Sequence, residues 1–179
     1  MTSAHSIASS PRYAPLEPRA CSAALMIADD AGMAAIDALI GQNPELGRKA
    51  TILRIGATAP PDTLPAALDG ALSQARMGLQ VWLAGSQGLI ARAQALLLAA
   101  GLPKGAIQSE HRGTAARRMQ CVHCKTLAEG VTTDPYTCPG CGRALFVRDH
   151  FSARLGAFQG VCIDAETPGD IPEPQELRL

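Results

Sequence analysis

Four cysteines stand in two C-x-x-C pairs within "MQCVHCKTLAEGVTTDPYTCPGCG", residues 119–142. Their spacing, Cys121-x2-Cys124-x13-Cys138-x2-Cys141, constrains the local fold more than any other feature of the chain. Each C-x-x-C puts two thiols on one tight turn. Two such turns can hold four thiolates tetrahedrally around one metal ion, at about 2.3 Å from it. A module of this size has little core of its own, so a bound metal would supply much of its folding energy.

Composition narrows the setting. The chain has 179 residues, enough for one modest domain and a small module, and 47% of them are apolar. Lys+Arg and Asp+Glu are 16 each, so there is no basic excess to suit a nucleic acid. The first residues, "MTSAHSIASSPRYAPLEPRACS", hold no apolar core of signal-peptide length. The longest apolar stretch, "ALLLAAGL" at 95–102, is far short of the roughly 20 residues of a membrane span. A cytoplasmic protein without membrane or nucleic-acid partners is expected. Thiols stay reduced in that compartment, so the paired cysteines read as metal ligands before disulfides. Cys21 and Cys162 have no partner at metal spacing and read as free, partly buried thiols.

Residues 1–21 are rich in Ser, Pro, Ala and Arg without periodicity, and are expected to form a flexible arm. From there apolar runs alternate with helical patterns. "SAALMIA" (22–28), "KATILRIGA" (49–57), "LQVWLAG" (79–85) and "GAIQSE" (105–110) read as strands. "MAAIDALIGQ" (33–42), 60–78 and 86–101 read as helices, with Asp62 or Thr63 and Ser86 as N-caps. The strands are continuous apolar runs, the mark of a parallel sheet covered on both faces. This predicts a small α/β domain over 22–112. A linker ("HRGTAARR") follows, then a metal-binding β ribbon over 117–161, and an extended acidic, proline-rich tail over 162–179. Within the ribbon, Leu145, Phe146 and Val147 predict a strand, and Asp149 or Ser152 a short helical turn carrying Leu155 and Phe158. Arg148, His150, Phe151 and Arg154 mix charge with aromatics, the composition of interface anchors. His150 has no acid partner or nucleophile beside it in the sequence, so no catalytic residue is assigned.

The metal is one zinc ion or, alternatively, one iron. "CPGCG" occurs in both kinds of site, and the whole run resembles the short rubredoxin-like module of rubrerythrins, in which Tyr136 and Phe146 would shield an iron. Rubredoxin-like knuckles carry Gly after each second cysteine. Here Gly142 stands at one such place and Lys125 at the other, which favours zinc. His123, inside the first knuckle, is expected to be exposed and not a fifth ligand.

The α/β half resembles the NAD(P)-binding domain of ferredoxin reductase-like proteins, a small doubly wound, Rossmann-like sheet. "ALMIADDAGMAAIDAL" resembles its first strand, turn and helix, and "GLQVWLAGSQGLIARAQALLLAAGLPKGAIQSEHRG" its last third. The departures are specific. Asp29 and Asp30 occupy the normally glycine-rich phosphate turn, the following Thr-Pro is absent, and Ala84 stands at the place of the nicotinamide-side Cys. Two carboxylates suit a pyrophosphate badly. No cofactor-binding residue is therefore assigned in this half.

The combination of this half with "EGVTTDPYTCPGCGRALFVRDHFSARLGAFQGV" (129–161) resembles the small A subunit family of dimethylamine monooxygenase. The resemblance implies a heteromeric, NADPH-dependent system that oxidatively demethylates a secondary amine to a primary amine and formaldehyde. Reductase and oxygenase subunits would be the partners and would carry flavin, iron–sulfur and haem. This chain would be a non-catalytic scaffold or electron-transfer-supporting subunit. The alternatives are a rubredoxin-like iron electron carrier and, less favoured by the "ADDAG" turn, an NAD(P)H-binding oxidoreductase.

Overall fold

The computed structural model describes residues 9–56 and 58–178. They divide into two units: Tyr13–Thr114, and Ala115 onward together with the described residues up to Arg12. No helix among the described residues is long and apolar enough to cross a membrane.

The first unit is a mixed α/β layer structure. Its elements are β1 (Ala23–Ala28), α1 (Met33–Gln42), α2 (Pro44–Arg48), β2 (Ala50–Arg54), α3 (Thr63–Leu72), β3 (Leu79–Gly85), α4 (Gln87–Ala99) and β4 (Ile107–His111). The four strands run parallel in the order β2-β1-β3-β4. Side chains alternate across a strand, so β1 feeds two cores. Met26 and Ala28 join Trp82 on one face, under Ile36, Leu39 and Leu46 of α1 and α2. Leu25 and Ile27 join Val81 and Leu83 on the other, under Leu64, Leu68, Ile90 and Leu97 of α3 and α4. Each fully buried Leu or Ile contributes about 1.5–3 kcal/mol of transfer free energy. The chain leaves β1 towards one edge and β3 towards the other. The strand order therefore reverses at the carboxyl ends of β1 and β3, the switch point where open α/β sheets hold ligands.

Two helices differ from the sequence expectation. The helix expected over 60–78 ends at Leu72. Gly70 and Ser73 weaken its last turn, where Ser73 Oγ donates to the Gly70 carbonyl at 2.8 Å. The unexpected α2 starts on Asn43, whose side chain accepts the Leu46 N–H, with Pro44 in the first turn. Of the arm, residues 1–8 lie outside the described residues, as does Ala57 of the second expected strand. Residues 14–17 run beside edge strand β4. Ala14 N–H donates to the Ser109 carbonyl at 3.2 Å, Glu17 N–H donates to Gln108 at 3.0 Å, and Leu16 N–H donates to the Glu110 carboxylate at 2.7 Å. Leu16 is 4% exposed, and Trp82 Nε1 donates to the Glu17 carbonyl at 3.0 Å.

The second unit is all β: β5 (Arg117–Cys121), β6 (Leu127–Val131), β7 (Thr133–Asp134), β8 (Tyr136–Thr137), β9 (Ala144–Ser152), β10 (Ala157–Cys162) and β11 (Gln175–Glu176). Five strands form one sheet in the order β6-β5-β10-β9-β8, with β10 parallel to β5 and antiparallel to its other neighbour, β9. This is more than a two-hairpin ribbon. The helical turn expected after Asp149 or Ser152 is present after Ser152 as one turn inside the β9–β10 hairpin: the Gly156 N–H donates to the Ser152 carbonyl at 2.8 Å and the Leu155 N–H to Ser152 Oγ at 3.4 Å. Gly156, at φ 60°, ends that turn, and Phe158 lies buried in β10. Strand β10 begins at Ala157, directly after Gly156, and its register against β9 shifts between Phe158 and Gln159. A Cβ on Gly160 would meet the Met119 sulfur of β5 at 2.5 Å, so the flexible Met119 side chain packs over β10 in the space that glycine leaves. Most of the tail is exposed, but β11 pairs antiparallel with β7 and Leu177 packs on the core of Met119, Val131, Leu145 and Val147.

Candidate metal centre

The two C-x-x-C turns are built alike. In the first, between β5 and β6, Lys125 N–H donates to the Cys121 carbonyl at 3.0 Å, and Cys121 N–H to the Thr126 carbonyl at 3.0 Å. In the second, between β8 and β9, Gly142 N–H donates to the Cys138 carbonyl at 2.9 Å, and Cys138 N–H to the Arg143 carbonyl at 2.9 Å. Both turns need a left-handed residue after the second cysteine: Lys125 has φ 64° and Gly142 φ 70°. The turns approach closely because position 140 is glycine. A Cβ there would collide with Thr126 Oγ1 and lie 3.2 Å from Cys124 Sγ.

This brings Cys121, Cys124, Cys138 and Cys141 together, with all four sulfurs within 4.8 Å of one another. Cys121 and Cys141 are 3.9 Å apart, Cys124 and Cys138 3.5 Å. A tetrahedron of metal–sulfur bonds of about 2.3 Å has sulfurs about 3.8 Å apart, so the cradle has the size for one ion. Four thiols are a soft donor set that suits zinc or iron over magnesium or calcium. Cys121 and Cys138 are buried, and Cys124 and Cys141 are half-exposed. Cys124 is held at about 6 by the Thr126 hydroxyl and the Thr126 N–H. For Cys141 the Arg143 N–H favours the thiolate, but burial and the neighbouring thiols push it up to about 12. One thiol of the cluster thus ionises readily while another keeps its proton. A divalent cation among them would release the protons that remain.

The residues around the cradle sort differently from expectation. His123 is exposed, with Nε2 3.2 Å from an Arg143 guanidinium nitrogen. Tyr136 packs against the cysteine-containing core. Phe146 does not: strand alternation turns Leu145 and Val147 inward and leaves Phe146 43% exposed. It lines a cleft of ≈ 900 Å³ with Ile163, Pro172 and Asp134. Cys162 donates to Asp164 at 3.1 Å, and Cys21 packs beside the Met26–Trp82 core.

The four interface candidates lie along or just beyond β9. Arg148 reaches Gln159 at 3.5 Å. Ser9 Oγ lies 3.3 Å from His150 Nδ1 and accepts the Phe151 N–H at 2.9 Å. The Phe151 ring meets Phe158 edge-on at 5.1 Å, so it helps hold the hairpin. Arg154 is exposed. Sequence reasoning missed Arg117, whose side chain is 11% exposed, pairs with Asp149 at 2.8 Å and covers the Phe158 ring at 4.4 Å. Its position in the apparent linker gave no signal.

At the switch point of the other unit, the two aspartates part. Asp30 is exposed and pairs with Arg54 at 2.8 Å. Asp29 is 8% exposed and turns inward.

These features define a two-unit protein: a parallel α/β layer unit and a β unit carrying a four-thiol cradle. Residues 118–161, which contain the cradle, match the dimethylamine monooxygenase subunit DmmA-like C-terminal domain. The heme-dependent oxidative N-demethylase delta subunit of Ectopseudomonas mendocina (strain ymp) is 38% identical over 166 residues, spanning 88% of this chain and 90% of that one. The chain belongs to the DmmA-like family. No solved structure matches it significantly.

Proposed function

We propose that this chain is a subunit, without catalytic residues of its own, of a cytoplasmic, NADPH-dependent dimethylamine monooxygenase. That system would convert a secondary amine to a primary amine and formaldehyde. The observation that carries the reading is the four-thiol cradle inside the segment that matches the family, together with the similar delta subunit of an oxidative N-demethylase. Reductase and oxygenase subunits are the partners and hold the flavin, iron–sulfur and haem groups. Cys121, Cys124, Cys138 and Cys141 would hold one zinc ion, which has no accessible second oxidation state and supplies shape alone. The parallel α/β unit is a reductase-like fold that has lost its cofactor, and Arg148, His150, Phe151 and Arg154 contribute to docking. Co-expression with the partner subunits, followed by purification and metal analysis, tests this. A chain that stays monomeric and never co-purifies with them overturns the subunit reading.

One observation favours a second reading. Lys125 adopts the conformation of Gly142, so the first knuckle makes the same turn as the second despite lacking glycine. The objection to a rubredoxin-like iron is weaker than the sequence alone implied. Visible absorption decides: a ferric tetrathiolate is coloured, and bleaching and recovery of that colour in turnover would make the β unit an electron relay.

A further inference from the structure

The switch point of the parallel sheet already contains an anion, and the chain supplies it. Asp29 follows β1 directly. Its Oδ1 accepts the Gly32 N–H at 3.0 Å, at the start of α1, and its Oδ2 accepts the Ser86 N–H at 2.8 Å, at the start of α4. The second bond joins residues 57 positions apart, so this is more than a local cap. The surroundings are shaped to the carboxylate. Gly85 has φ 134°, and a Cβ there would collide with Asp29 Oδ1. A Cβ on Gly32 would collide with the Ala84 carbonyl, so the turn after β1 lies tightly on the end of β3. In a phosphate-binding α/β protein, N–H groups at helix starts beside such a crevice receive the ligand's oxygens. Here one side chain takes an N–H from each of two helix starts.

We infer that Asp29 is a built-in plug, closing the switch-point crevice to phosphate-bearing ligands by occupying it with its own carboxylate. A phosphate entering the crevice would meet a buried negative charge at hydrogen-bonding distance and would have to break two bonds to displace it. Asp30 plays no part, because its charge faces Arg54 outside. The inference deepens the reading of this unit as a reductase-like fold without cofactor, and is independent of the N-demethylase assignment.

Inorganic pyrophosphate is the probe. The wild-type chain's melting temperature, and the amide resonances of Gly32 and Ser86, should not respond to pyrophosphate beyond the effect of sodium chloride at matched ionic strength. Asp29→Gly should melt lower than wild type and recover saturably with pyrophosphate. Asp29→Ser, a milder change, serves if the glycine variant does not fold. A saturable pyrophosphate response in the wild-type chain would overturn the plug, even if neither variant folds. So would folded variants that respond to pyrophosphate no more than to chloride. Neither result touches the N-demethylase reading, which co-purification tests separately.

Discussion

Lys125 and Gly142 hold the same backbone conformation at matching points of the two knuckles, φ 64° against 70°. Glycine adopts it freely, whereas a side chain there costs about 1–2 kcal/mol. The Lys125 ammonium recovers part of this by donating to the Val122 carbonyl at 2.6 Å. Lys125→Gly should therefore raise stability by about 1 kcal/mol in a denaturant melt while metal content stays the same. A loss of stability would show that the ammonium contributes more than the strain costs.

Replacing any one of the four cysteines with Ser should abolish stoichiometric metal binding. Hydrogen exchange should then rise across residues 119–151, while β1–β4 stay protected. Cys141→Ser is a demanding case because that thiol, like Cys124, is half-exposed. Full metal content in this variant would rule out a four-ligand site.

Trp82 joins the core of the α/β unit to the segment that covers β4. Trp82→Phe keeps much of the packing and removes the bond to Glu17, at a cost of about 1 kcal/mol. Trp82→Ala should cost about 3–5 kcal/mol. Limited proteolysis of Trp82→Phe should cut near residues 14–17 sooner than in wild type. Unchanged cutting would mean that Leu16 alone anchors the segment.

The Gly169 N–H, the Cys162 thiol and, more weakly, Arg143 hold the Asp164 carboxyl below its ordinary value of 3.8. A depressed carboxyl stabilises the fold when ionised. The contribution is present in full above 3.8 and is lost as pH falls through the lower folded value. The melting-temperature gap between wild type and Asp164→Asn should hold steady from neutral pH down towards 3.8 and close below it. A gap that widens on acidification would reverse the sign argued here.

Docking through β9 is better tested at Arg148 and Arg154 than at Phe151, whose ring packs on Phe158 inside the unit. Arg148→Ala with Arg154→Ala should reduce the fraction of chain that co-purifies with partner subunits, and demethylation should fall in proportion, with metal retained. Undiminished co-purification would move the interface elsewhere.

The central strands β1 and β3 were the most legible because a strand buried on both faces writes a continuous apolar run, whereas edge strands β2 and β4 are largely half-buried or exposed. "LQVWLAG" is β3 residue for residue. The cradle was legible because its ligands come in pairs whose spacing is a property of the turn itself. What stayed hidden depends on residues far apart. Leu16 has no periodic neighbours to mark it as core, since it packs where Glu110 accepts its N–H. Asp29 and Asp30 are adjacent and chemically identical, and only the arrival of Ser86 from β3 separates the buried one from the exposed one. The β9–β10 hairpin was half legible: Ser152 caps the expected turn over Leu155, but Gly156 at φ 60° ends it and Phe158 falls in β10.

The strand pairing of the β unit also sets an order of events during synthesis. Both knuckles sit on antiparallel neighbours close in sequence, β5 with β6 and β8 with β9. The central strand β10 is made last of the five, and its partner Met119 must wait for Phe158. All four thiols thus precede β10 in the chain, and their hairpins can close before β10 docks. An ion captured at that stage would pin β5 and β9 at a spacing that leaves one slot between them. The last strand would then enter a frame already built, between two edges that would otherwise be open to other nascent chains.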